Sequence, residues 1–169
     1  MSASLATATV AATGRAAETL ALTLWAEAAT RSVRAIEAVA SLVVNRARLA
    51  ARDPGACARF APGRGLESVP GADRLGLWPL LLGRVCRAPF LFACWNPRHP
   101  RHTTLGEAPA GDPALAICRR IAARAASGAL PDPTEGATHC HDAAILPGWA
   151  IGRVPTAEIG GLLFYRLAE

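Results

Sequence analysis

Glycine and proline limit what this chain can become. There are 15 of the first and 13 of the second, and so many helix breakers must sit in long connections, which excludes a simple helical bundle. What lies between them is apolar enough to fold: 51% of residues are hydrophobic and 18% charged, a balance that excludes a disordered tail. A length of 169 residues suits one domain with a real core. No uninterrupted apolar run reaches 18 residues, so no transmembrane helix is expected.

Three segments free of interior breakers read as helices. In Arg15 to Ala28, Leu20, Leu24 and Glu27 fall at i, i+4 and i+7, so a carboxylate emerges from the apolar stripe beside Trp25. Ser32 caps a second helix to Ala51, with Val33, Ile36, Ala40, Val43 and Ala47 as its core stripe and Asp53-Pro54-Gly55 as its stop. Asp112-Pro113 starts a third, with Leu115, Cys118, Ile121, Ala122 and Ala125 facing inward and Gly128 closing it. Leu75 to Arg87 reads as a shorter helix disturbed by Pro79, and Phe90 to Trp95 as an extended apolar run. Asp53 to Asp73 and Asn96 to Gly111 read as loops, and residues 1–14, without period, as a flexible lead-in to a single domain over 15–169.

After the turn chemistry of Pro131 to Gly136, three short strands are expected: Ala137 to His141, Trp149 to Arg153 and Gly161 to Arg166. The predicted class is α+β, mainly helical with a small antiparallel sheet near the C-terminus.

The net charge is +5, and all 18 basic residues are arginine. That suits an anionic polymer without choosing between cell wall and nucleic acid. Arg98 to His102 has no interleaved aromatics for stacking bases, and Arg119, Arg120 and Arg124 read as a solvated helix face, so no nucleic-acid partner is expected. Five cysteines with no CxxC pattern read as reduced thiols, and the N-terminus lacks the regions of a secretory signal; synthesis in the cytoplasm without a signal peptide is expected.

Glu27 is the sharpest candidate for chemistry, because a carboxyl against apolar walls can serve as a general acid. His139 and His141 share a strand face, with Cys140 opposite. They could bind a sugar, or a metal with Cys94, His99 or His102, although the spacing is not that of a zinc site. Cys94 or Cys140 with a histidine would make a nucleophilic pair. Trp95-Asn96 could stack on a sugar ring and bond its hydroxyls. There is no Walker loop or GxSxG, and Gly63 to Ser68 resembles a dinucleotide loop only superficially; no cofactor or metal is expected.

Four blocks in order resemble the SleB-type cell wall hydrolases, the family of spore-cortex-lytic enzymes. They are Leu24-Trp25-Ala26-Glu27-Ala28 with Ala38-Val39-Ala40 and Val43-Val44-Asn45-Arg46; Val85-Cys86 to Phe92-Ala93-Cys94-Trp95-Asn96; Asp132-Pro133-Thr134-Glu135-Gly136-Ala137-Thr138-His139; and Trp149, Thr156 to Gly161 and Phe164-Tyr165-Arg166. They span about residues 18–167. The resemblance implies a lysozyme-like domain that cleaves peptidoglycan glycan strands, with Glu27 as the catalytic acid and lytic transglycosylase chemistry. Trp25, Trp95, Asn96, His139, His141 and Tyr165 would bind the strand. The chain departs from the family where Arg31 replaces a second Glu, Ala35 a Gly and Cys140 an aromatic. Its ending resembles alphaproteobacterial members, some of them from prophages or gene transfer agents, which implies delivery by a phage-tail-like particle. A Cys/His amidase or endopeptidase, and a non-catalytic particle component that binds wall, are the other expectations. No membrane partner is expected.

Overall fold

Local capping fixes the helices. The computed structural model describes residues 2–66, 75–88, 90–106, 108 and 111–167, with helices α1 (Ser2–Ala28), α2 (Val33–Arg52), α3 (Pro54–Phe60), α4 (Trp78–Arg87), α5 (Arg101–Gly106) and α6 (Pro113–Ala126). Ser32 accepts the Ala35 N–H to start α2, and Asp112 accepts from Ala114 and Leu115 ahead of Pro113 to start α6. Asp53 works twice: its N–H closes α2 on the Leu49 carbonyl, and its carboxylate caps α3 at Ala56. That reset carries the chain into α3, where a loop was expected; positions 67–73 of that expected loop lie outside the described residues.

Other expectations are corrected. The lead-in is helical, because α1 begins at Ser2 and carries the core helix beyond the body of the fold. Pro79 does not disturb α4: it lies in the first turn, where no intrahelical N–H is missed. The run Phe90 to Trp95 is a turn and a 3₁₀ turn (Ala93–Trp95), and α5 interrupts the loop expected after Asn96. Val33, predicted to be core, is 50% exposed at the first position of α2.

The core lies between α1, α2, α4 and α6. Leu20 and Leu24 of α1 are fully buried, with Leu42 and Val43 of α2, Leu81, Leu82 and Val85 of α4, and Leu115 and Cys118 of α6 around them. Each large aliphatic side chain removed from water contributes about 2 kcal/mol. Alanines along α2 (Ala35, Ala38, Ala40, Ala47, Ala50) are all fully buried and let its neighbours approach closely.

The fold is mainly helical with a three-stranded antiparallel sheet near the C-terminus. Its strands are β1 (His139–Asp142), β2 (Ala157–Ile159) and β3 (Leu162–Tyr165), in the order β1-β3-β2. β1 and β3 form near the predicted places. The strand expected over Trp149 to Arg153 is a 3₁₀ turn (Gly148–Ala150) running into a turn, and the missed strand is β2. Its hairpin to β3 turns through Gly160 and Gly161, both at positive φ, as a two-residue link between twisted strands requires. In the register His139↔Tyr165 and His141↔Leu163, the imidazoles and Tyr165 share one face, while Phe164 and Leu162 meet the core from the other.

Candidate active site

The helical spacing of α1 delivers Glu27 to the rim of the core. Its side chain is 15% exposed. Oε1 accepts the backbone N–H of Cys94 at 2.9 Å, and Oε2 accepts Arg101 Nη1 at 2.7 Å. Both partners are donors, so the group is held as an acceptor from two sides. The Cys94 amide is placed by the 3₁₀ turn Ala93–Trp95, and Arg101 by the first residue of α5. His102 pins the same stretch through a 3.0 Å hydrogen bond between Nδ1 and the Cys94 carbonyl.

A second cluster of rings lies on the outer face of the sheet. His141 stacks on Tyr165 at 5.3 Å between centroids, and its Nε2 shares a 3.0 Å hydrogen bond with the Tyr165 hydroxyl. Trp149 stands edge-on to His141 and Tyr165 and tilts against His139. His139 also meets Phe60 edge-on and shares a 2.9 Å hydrogen bond from Nδ1 to the Thr138 hydroxyl. Burial, followed by the charges of Arg46, Arg59 and Arg153, pushes the His139 imidazole down to about 4, so it is neutral at ordinary pH.

The predicted residues therefore form two groups. His139, His141 and Tyr165 come together with Trp149, whose place in the ring cluster no local pattern reveals. Glu27 stands with Cys94 and Arg101. No hydrogen bond, ion pair or ring contact among the described residues joins Glu27 to the ring cluster. The link is Cys140, between the two histidines, which lies close enough to Glu27 for the carboxylate to raise its thiol. Trp25 faces elsewhere and donates from Nε1 to Asp112 at 3.0 Å, locking α1 to the cap of α6. The indole of Trp95 donates to the fully buried Thr23 at 2.9 Å and carries Arg87 over its ring. Asn96 is half-buried and accepts the Arg98 N–H in a local turn. Arg101 was missed because 74 residues separate it from Glu27 and nothing local marks the pairing.

Arg31, where the resembled family has a second Glu, fastens the α1–α2 turn to the sheet. It donates to Asp142 at 2.6 Å and to the Gly160 carbonyl at 3.1 Å. The two candidate thiols, Cys94 and Cys140, are both held toward the protonated form. Burial, then the Glu27 carboxylate, pushes Cys94 well above the usual thiol range, and burial raises Cys140. The set His139, His141, Cys94, His99 and His102 is not gathered: among the described residues no three His, Cys, Asp or Glu side chains are grouped to hold a metal ion. No family model, curated protein or solved structure matches this chain.

Proposed function

We propose that this protein is a lysozyme-like cell wall enzyme that cleaves peptidoglycan between N-acetylmuramic acid and N-acetylglucosamine, with Glu27 as acid and base. The observation that carries this reading is the convergence of the four sequence blocks. Glu27 of the first accepts the Cys94 N–H of the second. Asn45 and Arg46 of the first donate to the Ala137 and Thr138 carbonyls of the third. The third and fourth pair as β1 and β3. Residues of the four blocks separated by up to 92 positions are thus neighbours in the fold, which supports reading the blocks together.

In this reading Glu27, once Arg101 leaves Oε2, protonates the glycosidic oxygen. As carboxylate it then takes the proton of the muramoyl 6-hydroxyl as that oxygen attacks C1, leaving a 1,6-anhydro end. Hydrolysis would need a second carboxylate at about 5 Å (retaining) or about 6.5–9.5 Å (inverting). Glu135 and Glu158 are both exposed, neither bonds to Glu27 or its partners, and Asp142 is held by Arg31. Among the described residues, transglycosylation therefore fits the carboxylates better than hydrolysis. In the ring cluster Tyr165 is buried, and it is Trp149, partly open to solvent, that offers a face for a sugar ring. Delivery to the wall would be by a phage-tail-like particle.

The deciding experiment is a digest of purified peptidoglycan with wild-type and Glu27→Gln protein, read by mass spectrometry. Anhydromuramoyl products are expected, reduced at least about 100-fold in the variant. Equal release by both proteins refutes the assignment of Glu27. Reducing ends in place of anhydro ends would make the enzyme a hydrolase. Binding to insoluble wall without any product would leave a non-catalytic particle component.

A further inference from the structure

One edge of α2 reaches the surface beside the core: Arg48 and Arg52 are exposed, while Leu49 packs against the core and Asn45 is buried. Asn45, Arg48, Leu49 and Arg52 fall at i, i+3, i+4 and i+7 and form one wall of a cavity of about 600 Å³. The opposite wall is Gly136, Thr138, Arg166 and Leu167, from the segment before β1 and the end of β3. The size is that of a small-ligand site.

Its charge is one-sided. Among the described residues, Arg48, Arg52 and Arg166 are exposed and without a hydrogen bond or ion pair, and no carboxylate lines the cavity. Asp132, which bonds two of the lining residues, is already occupied. It accepts from Asn45 Nδ2 at 2.8 Å, from the Thr134 N–H and hydroxyl at 2.8 and 2.6 Å, and from the Gly136 N–H at 2.9 Å. Behind the wall, Arg46 is only 6% exposed; it donates from Nε to the Thr138 carbonyl and leaves Nη1 without a partner. Arginines one turn apart repel each other, and a third from the tail adds to the repulsion. Nothing in the packing requires that cost.

We infer that this cavity binds an acidic peptide, its carboxylates paired with Arg48, Arg52 and Arg166 and its aliphatic parts against Leu49 and Leu167. A guanidinium fork receives a carboxylate through two parallel N–H donors, and the mixed walls match a chain of alternating carboxylate and alkyl groups better than a bare phosphate. Resting on the peptidoglycan reading above, the peptide is the stem peptide of the glycan strand, which carries several free carboxylates. The cavity is then a second holdfast for the strand, remote from the bond that breaks.

The probe is the soluble stem tetrapeptide N-acetyl-L-Ala-γ-D-Glu-meso-diaminopimelyl-D-Ala, titrated calorimetrically into wild-type protein, Arg48→Ala/Arg52→Ala and Arg166→Ala. All three substituted arginines are exposed and unpaired among the described residues, so folding is expected to persist, checked by far-UV circular dichroism. Saturable binding is expected, weakened about tenfold or more in the double variant and several-fold in Arg166→Ala, and lost with the fully amidated peptide. No binding, equal binding by the double variant, equal binding of the amidated peptide, or full displacement by an equimolar amount of inorganic phosphate overturns the proposal. Tighter binding of a short DNA duplex through the same arginines also overturns it. The probe contains no glycan, so its result and the Glu27→Gln digest fail independently.

Discussion

Glu27 is held by two contacts of different kinds. The Cys94 N–H is backbone and fixed, whereas Arg101 is 53% exposed and reaches in from a six-residue helix. In the proposed reaction the fixed donor orients the carboxylate, and the half-exposed cation competes for the oxygen that would carry the proton. In Arg101→Ala, glycan cleavage at neutral pH is therefore expected to rise by about two- to tenfold. Arg101 is half-exposed, which limits the pair to about 1 kcal/mol, so the melting temperature should fall by no more than about 4 °C. Soluble muropeptide release and a thermal melt check both. A fall in kcat at unchanged KM would instead place Arg101 among the groups that stabilise the transition state. At this scale the position of Glu27 at the edge of the core was legible in the sequence, because Leu20, Leu24 and Glu27 obey one helical period and the first two are fully buried. It left Trp25 and Trp95 ambiguous, since a tryptophan beside a candidate acid reads the same whether its indole faces a ligand, Asp112 or Thr23.

Among the elements, the β2–β3 hairpin depends most on single residues. A Cβ on Gly160 would lie 2.6 Å from the Ala35 Cβ and 3.1 Å from the Ser32 hydroxyl, at a φ of +58°. The hairpin thus sits directly on the start of α2, where Arg31 also binds it. Gly160→Ala is expected to cost about 2–3 kcal/mol, a fall of roughly 4–10 °C in melting temperature. Gly161→Ala, with its nearest neighbour the Arg31 guanidinium at 3.5 Å, should cost about 1 kcal/mol. Equal losses in two parallel melts would show that φ alone matters and that the Ala35 contact does not. The long helices were legible because cap, period and stop agreed in each. The short ones were not: α3 and α5 have 7 and 6 residues, too few for a period to stand out, and what selects them is the Asp53 cap or the tertiary grip on Arg101 and His102. β2 was missed because three residues cannot show alternation. Trp149 lies in a turn where a strand is expected because the indole packs sideways on His139, His141 and Tyr165, a reason no local pattern carries.

Across the whole molecule the net charge is +5, and the sheet end of the fold is where cations meet a titrating group. His139 lies within reach of Arg46, Arg59 and Arg153, and burial adds to their effect, so the folded imidazole takes a proton only near about 4. In the unfolded chain the same ring titrates near about 6.5. Between those values the unfolded state binds the proton and the folded state refuses it, so stability is complete above about pH 6.5 and declines as the pH falls toward 4. The full shift corresponds to about 3 kcal/mol, and solvent around a half-buried ring reduces this to about 1–2 kcal/mol. For a chain of this size that is a fall of roughly 3–6 °C in melting temperature between pH 7 and pH 4.5. The carboxylates act in a different window. Asp132, despite its burial, is held low by the Thr134 hydroxyl, Asn45 and backbone N–H groups, and Asp142 by the Ala144 N–H and then Arg31. Their contributions are present above the ordinary Asp value and disappear only below it, as the pH passes through the lowered folded values. A melting curve taken every half unit therefore separates the two effects. His139→Gln, which keeps a polar side chain without a proton to gain, is expected to flatten the curve from pH 7 to pH 5 while leaving the acid limb in place. If the variant and the wild-type protein fall together over that range, the imidazole is not the group that the arginines exclude from protonation, and the decline belongs to the carboxylates alone.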